Sequence, residues 1–387
     1  MIKRSHLTAR LTKALARSRV TTMLGPRQCG KSTLAQQIVP PNSVNYFDLE
    51  QPKDLVRLEQ PMNALQSLQG TVVIDEIHRC PELFPMLRVL ADRVPLPARF
   101  LILGSAAPRL LRQSSESLAG RQERIHLTGF TLSEVGLEAH AKHWLRGGFP
   151  RSFLAADTED SWAWRENYVQ DMLIHDLPDW GMTLPASALQ RLWTLLAHYH
   201  GQTWQVSEPS RMLGISEPTT RRYLDILTDL FVIRQLPPWH ANLKKRQVKS
   251  PKVYFRDTGL LHHLLGIRTE KELLVHPKCG ASWEGYVIEE ILKVVEPQEA
   301  FFWATHQGAE IDLIMIKEGR MLGVECKQVD APKMTPSMHI ALEDLKLERI
   351  AVVYPGKVRY PLVPRVEVVP MKDAMLGMDG LFPKELN

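Results

Sequence analysis

Apolar runs recur through the first 130 residues of the chain. Residues 20–24, 71–75 and 99–103 are largely apolar, and such runs are typical of strands buried on both faces of a parallel sheet. The first and third runs are followed by helix-compatible segments, at residues 31–39 and 109–120. This alternation predicts an α/β fold.

The pattern changes after residue 130. Residues 187–235 are typical of helices with short breaks, and residues 281–295 are helix-compatible. Three strand-like runs follow, and the turn KEGR between the second and third predicts a hairpin. The last residues, from 371, are expected to be a tail without chemistry. We predict four parts, with the boundaries 1–130, 131–185, 186–268 and 269–387.

Composition narrows the class of protein. The chain has 387 residues, of which 44% are hydrophobic and 24% charged, as expected for a globular protein of several domains. No apolar run approaches the length of a membrane span. The four cysteines form no CxxC pair, which suits a reducing compartment. We therefore predict a cytoplasmic protein without membrane association.

The first twenty residues are basic and contain no acidic residue. Such a segment is either a transit peptide or an integral amphipathic helix. An apolar strand and a glycine loop begin directly after it, which favours the integral helix.

A phosphate-binding loop is predicted at residues 25–32, which read G-x-x-x-x-G-K-S. The glycines permit a turn whose N–H groups cradle phosphate oxygens, the lysine brings a positive charge to the β- and γ-phosphates, and the serine hydroxyl binds Mg²⁺. The pattern predicts ATP and Mg²⁺ as cofactors. The ATP-binding residues are Gly25, Gly30, Lys31, Ser32 and the adjacent Thr33.

An acidic pair ends the second apolar run. Asp75 is expected to hold the Mg²⁺ shell, and Glu76 to orient the attacking water. The alternative is a strand end with two solvated acids, which the upstream phosphate loop disfavours.

Two further positions could complete the ATP site. Ser105 ends the third apolar run, where a polar side chain could sense the γ-phosphate. Arg121 follows a helix-like stretch and is expected to reach a neighbouring subunit's nucleotide, where an arginine stabilises the charge on the transferred phosphoryl group. Three other arginines compete for this role: Arg109, Arg112 and Arg124.

Together these segments resemble a known family. GPRQCGKST, VVIDEIHRC, LILGSAA and SLAGR, in this order, are similar to the AAA+ ATPase domain of a widespread prokaryotic family with a C-terminal region long labelled as of unknown function. The resemblance continues through GGFPR, WRENYVQDML, PKVYFRDTGLL and WEGYVIEEIL, nearly to the end of the chain. It implies a helical lid after about residue 130, with Arg151 as a second γ-phosphate sensor.

Residues 207–233 have a helix-turn-helix layout, with a turn at Gly214 and an N-cap at Ser216. Leucines at 224, 227 and 230 supply the packed face. The start of the second helix would enter a DNA groove; its exposed residues are predicted to be Thr219, Thr220, Arg221 and Arg222.

The segment after this helix is typical of a wing. It is basic, and each phosphate that it neutralises would release counterions. The basic residues predicted to lie together on it are Lys244, Lys245, Arg246, Lys249 and Lys252. The alternative is a winged helix used only for packing or oligomer contacts.

The helix and strands of the last part resemble the PD-(D/E)xK nuclease constellation. Asp312 lies partway along its strand, and Glu325 and Lys327 are two residues apart, so they share one face. With Glu284 on the helix, the carboxylates would hold Mg²⁺ and the lysine would position water. Glu289 or Glu290 could replace Glu284. Such a domain could cut DNA or only bind it.

The predicted architecture is an AAA+ ATPase core (1–130), a helical lid (131–185), a winged helix (186–268) and a restriction-endonuclease-like α/β domain (269–387). An arginine acting in trans implies a ring or at least adjacent subunits, and we predict a homo-oligomer in the form of a hexameric ring. We predict an ATP-driven motor on duplex or branched, Holliday-junction-like DNA. The alternatives are a nuclease fed by the motor, and a slow nucleotide-gated switch acting as a regulator or defence sensor.

Overall fold

The computed structural model describes residues 2–105, 116–179, 181–240 and 248–383. These residues form two compact units. The first comprises the chain up to Phe130 together with Asp225–Val232, and the second comprises Thr131–Leu224 together with the chain from Ile233.

The first unit is built on a five-stranded parallel sheet in the order β2-β3-β4-β1-β5. This confirms the predicted α/β fold with a parallel sheet. The strands are β1 Val20–Gly25, β2 Tyr46–Asp48, β3 Gly70–Asp75, β4 Ala98–Ser105 and β5 Gln122–His126. The described helices around them are Ser5–Arg17, Lys31–Ala35, Pro52–Arg57, Pro61–Leu65 and Leu83–Ala91.

The sheet register brings the polar strand ends together. Every residue of β1 is buried, as expected for a strand covered on both faces. Gly25 at the end of β1 pairs with Ser105 at the end of β4, and β3 pairs with β4 so that Asp75 ends at the same edge. Because the strands are parallel, this edge collects loops from all of them.

The N-terminal segment forms a helix, Ser5–Arg17, as predicted, and this helix packs against the sheet. It buries Leu11, Ala14 and Leu15. Arg4, directly before it, is also buried. Its guanidinium donates hydrogen bonds to the carbonyl oxygens of Cys29 at 3.2 Å, Thr128 at 3.2 Å and Gly129 at 2.9 Å.

The second unit begins with short helices and a small antiparallel sheet in the order β6-β8-β7. Its strands are β6 Gln202–Thr203, β7 Ile233–Leu236 and β8 Lys252–Phe255. The described α-helices from residue 131 to β8 are Leu132–Val135, His140–Arg146, Pro150–Phe153, Thr158–Asp171, Leu177–Asp179, Ala186–His198, Ser207–Leu213 and Glu217–Asp229.

A six-stranded mixed sheet follows, in the order β13-β14-β12-β11-β10-β9. The strands are β9 Glu299–Ala304, β10 Glu310–Lys317, β11 Arg320–Cys326, β12 Arg349–Tyr354, β13 Tyr360–Val363 and β14 Val366–Pro370. β10 and β11 pair antiparallel up to Lys317 opposite Arg320, which confirms the hairpin predicted at KEGR. The helices of this region are Thr258–Leu264, Glu270–Val275, Cys279–Val295, Pro336–Asp344, Met371–Ala374 and Met378–Leu381.

Each face of this sheet has its own apolar core. Trp283 and Ile291 of the helix Cys279–Val295 belong to one cluster with Leu313 of β10. Ile311 and Ile314 of β10 belong to the other cluster. The register of β10 shifts between these two isoleucines; such a bulge re-aims side chains. Asp312 and Leu313 are the two residues within this shift.

The C-terminal segment is not the featureless tail that was expected. Met371, Ala374, Leu381 and Phe382 are all buried in the core beside the helix Cys279–Val295. Their apolar spacing on two short helices closes this core, so the segment stabilises the sheet. Within the described ranges, no helix has both the length and the apolar character needed to cross a membrane.

We expect Gly147→Ala to destabilise the second unit. Gly147 has φ 75° and ψ −177°, a conformation that essentially only glycine adopts, and an added Cβ would lie 2.2 Å from Asp257 Oδ1. That carboxylate accepts bonds from the N–H groups of Gly148 at 2.8 Å and Leu260 at 3.0 Å. The free energy of unfolding, measured by urea denaturation, should fall by about 3 kcal/mol.

Gly280→Ala is the matched control, since Gly280 has ordinary φ and no atom within 4 Å of an added Cβ. It should change the unfolding free energy by no more than about 1 kcal/mol. Equal unfolding midpoints for the two variants would contradict the clash at Gly147.

Candidate functional site

The phosphate loop joins β1 to the helix Lys31–Ala35. A Cβ at Gly25 would lie 2.2 Å from the carbonyl oxygen of Leu127, so close backbone approach requires glycine there. Gly30 has φ 98°, in the left-handed region that glycine favours. The following helix ends at Ala35, earlier than the helix-compatible run to residue 39 suggested. Thr33 is exposed on it.

Lys31 is buried at the centre of this loop. Its ammonium donates to the carbonyl oxygens of Gly25 at 3.1 Å and Pro26 at 2.9 Å. Both acceptors are neutral, so the charge of the ammonium remains available to phosphate oxygens. The loop and the lysine therefore fit a nucleotide triphosphate.

Asp75 is buried and lies beside the serine of the loop. The Ser32 hydroxyl hydrogen-bonds to its carboxylate, and the Tyr46 hydroxyl donates to Oδ2 at 2.9 Å. Burial raises the pKa of Asp75, while the Ser32 and Tyr46 hydrogen bonds oppose that rise. Ser32 and Asp75 together offer the hard oxygen ligands that Mg²⁺ prefers.

Glu76 has a left-handed backbone, with φ 53°. Its Oε2 lies 3.1 Å from Nδ1 of His78. Burial would raise the pKa of Glu76, but the His78 hydrogen bond and the charges of Lys31 and Arg27 outweigh burial, so the pKa lies below its ordinary value. The group is therefore ionised at neutral pH, as a water-orienting carboxylate must be.

The remaining residues predicted for the ATP site are Ser105, Arg121 and Arg151, and each has a different environment. The backbone of Ser105 pairs beside Gly25. Arg121 donates to both carboxylate oxygens of Asp92, at 2.7 and 2.8 Å. The competing residues Arg109 and Arg112 lie outside the described residues, and Arg124 is exposed on β5. Arg151 is exposed on the helix Pro150–Phe153 of the second unit.

The predicted helix-turn-helix has its two helices and its cap. Gly214 follows the first helix with φ 67°, and the Ser216 hydroxyl accepts a hydrogen bond from the N–H of Thr219 at 3.3 Å. The leucines at 224, 227 and 230 are buried, as predicted. Arg221 and Arg222 are exposed.

Thr220 corrects one expectation. It was predicted to be exposed for DNA, but it is only 1% exposed. Its hydroxyl hydrogen-bonds to that of Ser210 at 2.8 Å and so joins the two helices.

The predicted basic wing divides in the structure. Lys249 is exposed, while Lys244, Lys245 and Arg246 lie beyond the described ranges. Lys252 was predicted to join them, but it is buried in β8. The sequence interpretation failed there because acidic partners distant in the chain, rather than basic neighbours, determine the position of this lysine.

These partners form a cluster that we call the carboxylate centre, consisting of Glu284, Glu310, Asp312 and Glu325 with Lys252 and Lys327. One carboxylate oxygen each of Glu284, Glu310 and Asp312 lies within 4.8 Å of the others. Glu310 was missed by the sequence interpretation, although its spacing of two residues from Asp312 on one strand was a usable signal.

Lys252 lies among three of the carboxylates. Its ammonium is 2.8 Å from Glu284 Oε1 and 3.8 Å from Asp312 Oδ1, and it contacts Glu310 closely. The hydroxyl of Tyr254, two residues along β8, donates to the same Glu284 oxygen at 2.5 Å.

The structure separates Glu284 from the two glutamates that could have replaced it. Glu289 pairs with Arg234 and Arg256. Glu290 pairs with Lys293 at 2.6 Å and also accepts a hydrogen bond from the N–H of Leu132. Both carboxylates are thus occupied by partners outside the centre.

Asp312 also belongs with the remaining members of the centre, Glu325 and Lys327. Asp312 Oδ2 accepts from the N–H of Cys326 at 2.8 Å, and Lys327 donates to Glu325 Oε1 at 2.6 Å. Glu325 Oε2 is buried without a hydrogen-bond partner in the part of the chain that the structure describes. This oxygen and the carboxylate of Asp312 are suitable ligands for a hard divalent cation.

Negative charge is in excess at this centre. Burial and then the neighbouring Glu325 and Glu284 raise the pKa of Asp312 well above its usual range. Burial also raises the pKa of Glu325, although Lys327 opposes the rise. A cation bound here would relieve both shifts.

We expect His78→Ala to move the acidic limb of ATP hydrolysis to higher pH. Loss of the His78 hydrogen bond raises the pKa of Glu76, so its carboxylate protonates, and activity falls, at a higher pH than in the natural protein. The check is the pH dependence of kcat. The exposed neighbour Arg79 supplies the control Arg79→Ala, and identical limbs for both variants would refute the role of His78.

We expect Glu325→Gln to stabilise the metal-free protein at alkaline pH. A carboxyl whose pKa is raised in the folded state lowers stability once pH rises from its unfolded value, about 4.3, through the folded value. The variant should therefore melt above the natural protein at pH 8 in EDTA, with a difference that shrinks toward pH 4.

The control for this substitution is Glu343→Gln, at an exposed position of the same sheet domain. It should leave the melting temperature almost unchanged at both pH values. A lower melting temperature for Glu325→Gln at pH 8 would contradict the excess negative charge.

Comparison with known proteins extends these observations. Residues 17–136 match the model of an AAA domain, residues 137–271 match a domain of unknown function (DUF8612), and residues 279–374 match another (DUF4143). The first unit is therefore an AAA-type P-loop ATPase domain.

Related chains are found in mycobacteria. The uncharacterized proteins Rv2008c of Mycobacterium tuberculosis and Mb2031c of Mycobacterium bovis are each 50% identical to this chain over 370 residues, covering 96% of it and 84% of their own length. Among solved structures, the Walker-type ATPase paby2304 of Pyrococcus abyssi has 16% identity and a TM-score of 0.49, covering 68% of this chain and 96% of its own; this likeness is too distant to assign a function. The chain belongs to the family of these mycobacterial proteins, with an AAA-type ATPase domain and a C-terminal DUF4143 domain.

Proposed function

We propose that the protein hydrolyses ATP to translocate on or remodel duplex or branched DNA. The observation that carries the proposal is the meeting of Lys31, Ser32, Asp75 and Glu76 at one edge of the parallel sheet. These residues fit, within one unit, the positive charge that binds phosphate, the ligands of Mg²⁺ and the water-orienting carboxylate of an ATPase.

Each residue has a defined part in hydrolysis. Lys31 would bind the β- and γ-phosphates in place of carbonyl oxygens, and Ser32 and Asp75 would hold Mg²⁺, which would neutralise charge on the phosphates. Glu76, ionised and restrained by His78, orients the attacking water. Arg121 would act on the nucleotide of an adjacent subunit, so we propose a homo-oligomer in the form of a hexameric ring.

DNA engagement is proposed for exposed basic residues of the second unit. Arg221 and Arg222 lie in the first half of the helix Glu217–Asp229, where a recognition helix contacts DNA. Lys249 is also exposed. The sequence adds Lys244, Lys245 and Arg246 to the residues proposed to bind DNA.

The carboxylate centre suggests a second chemistry for the same substrate. Asp312 and Glu325 would hold a Mg²⁺ ion against a phosphodiester, and Lys327 would position the water. The lysine already contacts Glu325 at 2.6 Å. This arrangement supports a PD-(D/E)xK-like centre that cuts DNA.

Two contacts favour a second candidate function, a nucleotide-gated DNA-binding switch with slow turnover. Lys252 neutralises part of the carboxylate centre, which suits binding better than cleavage. Arg121 is held by Asp92, so it must leave that partner before it can act in trans. Lys252 and Arg121 are each held in ion pairs, which fits a regulator or defence sensor with slow turnover.

The rate of ATP hydrolysis separates these candidates. It is measured without DNA, with linear duplex and with a four-way junction, and Glu76→Gln serves as the inactive control. We expect stimulation of more than about tenfold by the preferred DNA. A slow rate that no DNA changes would refute the motor and leave the switch.

The salt dependence of DNA affinity tests the proposed DNA contacts. Arg221→Ala with Arg222→Ala should reduce the slope of log affinity against log salt by about 2, because two phosphate contacts are lost. The exposed Lys357 provides the control Lys357→Ala.

Mg²⁺-dependent cleavage of labelled strands that survives in Lys327→Ala would exclude the carboxylate centre as its source.

A further inference from the structure

The ammonium of Lys252 lies where three carboxylates of the carboxylate centre come close together. Glu284, Glu310 and Asp312 offer oxygens within 4.8 Å of one another, and Lys252 bonds to this set. We propose that Lys252 takes the place of one metal ion, so that the centre binds one divalent cation at Asp312 and Glu325 rather than two. The inference rests on the proposed metal-binding role of the centre.

The position of Lys252 is fixed by its strand. β8 is the middle strand of its sheet, and Lys252 pairs with Thr203 of β6 and with Leu236 of β7. Its side chain is only 5% exposed. Tyr254, on the same strand, binds the same Glu284 oxygen. The ammonium is therefore fixed among the carboxylates, and a metal ion could not share its place.

The charges of the centre leave room for one divalent ion. Its four carboxylates carry four negative charges when ionised, and Lys252 and Lys327 carry two positive charges. Two negative charges remain, which a single divalent cation balances. A second such ion would leave two excess positive charges beside the buried Lys252, Asp312 and Glu325, which burial disfavours.

The ligand capacity that remains lies at Glu325 and Asp312. Glu325 Oε2 is buried and has no hydrogen-bond partner among the described residues. Glu325 is 5% exposed, so this oxygen has little access to bulk water. Asp312 is farther from the ammonium, at 3.8 Å, than Glu284 is, at 2.8 Å. The remaining cation is therefore expected at Asp312 and Glu325.

The test is the number of Mn²⁺ ions bound to the full chain without nucleotide, measured by calorimetry and by the loss of the free Mn²⁺ resonance signal. Asp312→Asn gives the background, including any ion at the ATP site. Above this background, we expect one ion for the natural protein, one for Lys252→Arg and two for Lys252→Met.

The outcomes separate the inference from the metal site on which it rests. No ion above background in the natural protein would refute the metal site itself. One ion in both the natural protein and Lys252→Met, or two in the natural protein, would overturn the inference and leave the metal site standing.

A second variant covers the case in which Lys252→Met fails to fold, as judged by circular dichroism. Glu310 is 42% exposed at its side chain, so Glu310→Gln should be tolerated. If Lys252 holds that side of the centre, Glu310→Gln leaves the single Mn²⁺ affinity within about twofold. A loss of about tenfold or more, typical of a lost ligand, would contradict the proposal.

Discussion

The ion pair between the buried Lys252 and the half-buried Glu284, with the neighbouring Asp312, joins three elements of the second unit. Lys252 belongs to the small antiparallel sheet, Glu284 to the long helix Cys279–Val295, and their neighbour Asp312 to the six-stranded sheet. Taking an ion out of water costs several kcal/mol, and a partner at hydrogen-bond distance must offset that cost. Each element therefore keeps its charge buried only while the other two stay in place.

The two units use a buried lysine in opposite ways. Lys31 hydrogen-bonds to neutral carbonyl oxygens, so its charge is offered to an incoming anion. Lys252 is surrounded by carboxylates, so its charge is already satisfied. The same side chain thus prepares one site for a ligand and fills another, and the difference lies in the distant residues that surround each ammonium.

The difference between local patterns and distant partners also explains which features could be predicted from the sequence. The phosphate loop is a local pattern, in which spacing along the chain determines the fold of Gly25 to Ser32, and the buried β1 run and the KEGR hairpin are local as well. Strand periodicity predicted that Glu325 and Lys327 share one face, and their side chains are in contact. These features need only short-range geometry.

Features that depend on distant partners could not be predicted. Lys252 looks like one more basic residue of a wing, since its acidic partners lie 32 to 60 positions later in the chain. Thr220 is buried by a serine on the preceding helix, and the register shift in β10 beside Asp312 leaves no mark in the composition. In each case tertiary contacts override the local pattern.

The anchoring of Arg4 has a practical consequence for handling the protein. Its guanidinium holds the carbonyl oxygen of Cys29, inside the phosphate loop, and those of Thr128 and Gly129 beyond β5. Arg4 is therefore a structural support of the phosphate loop. A tag that displaces Arg4, or a truncation that removes it, would alter the loop although it changes none of the residues predicted to bind phosphate.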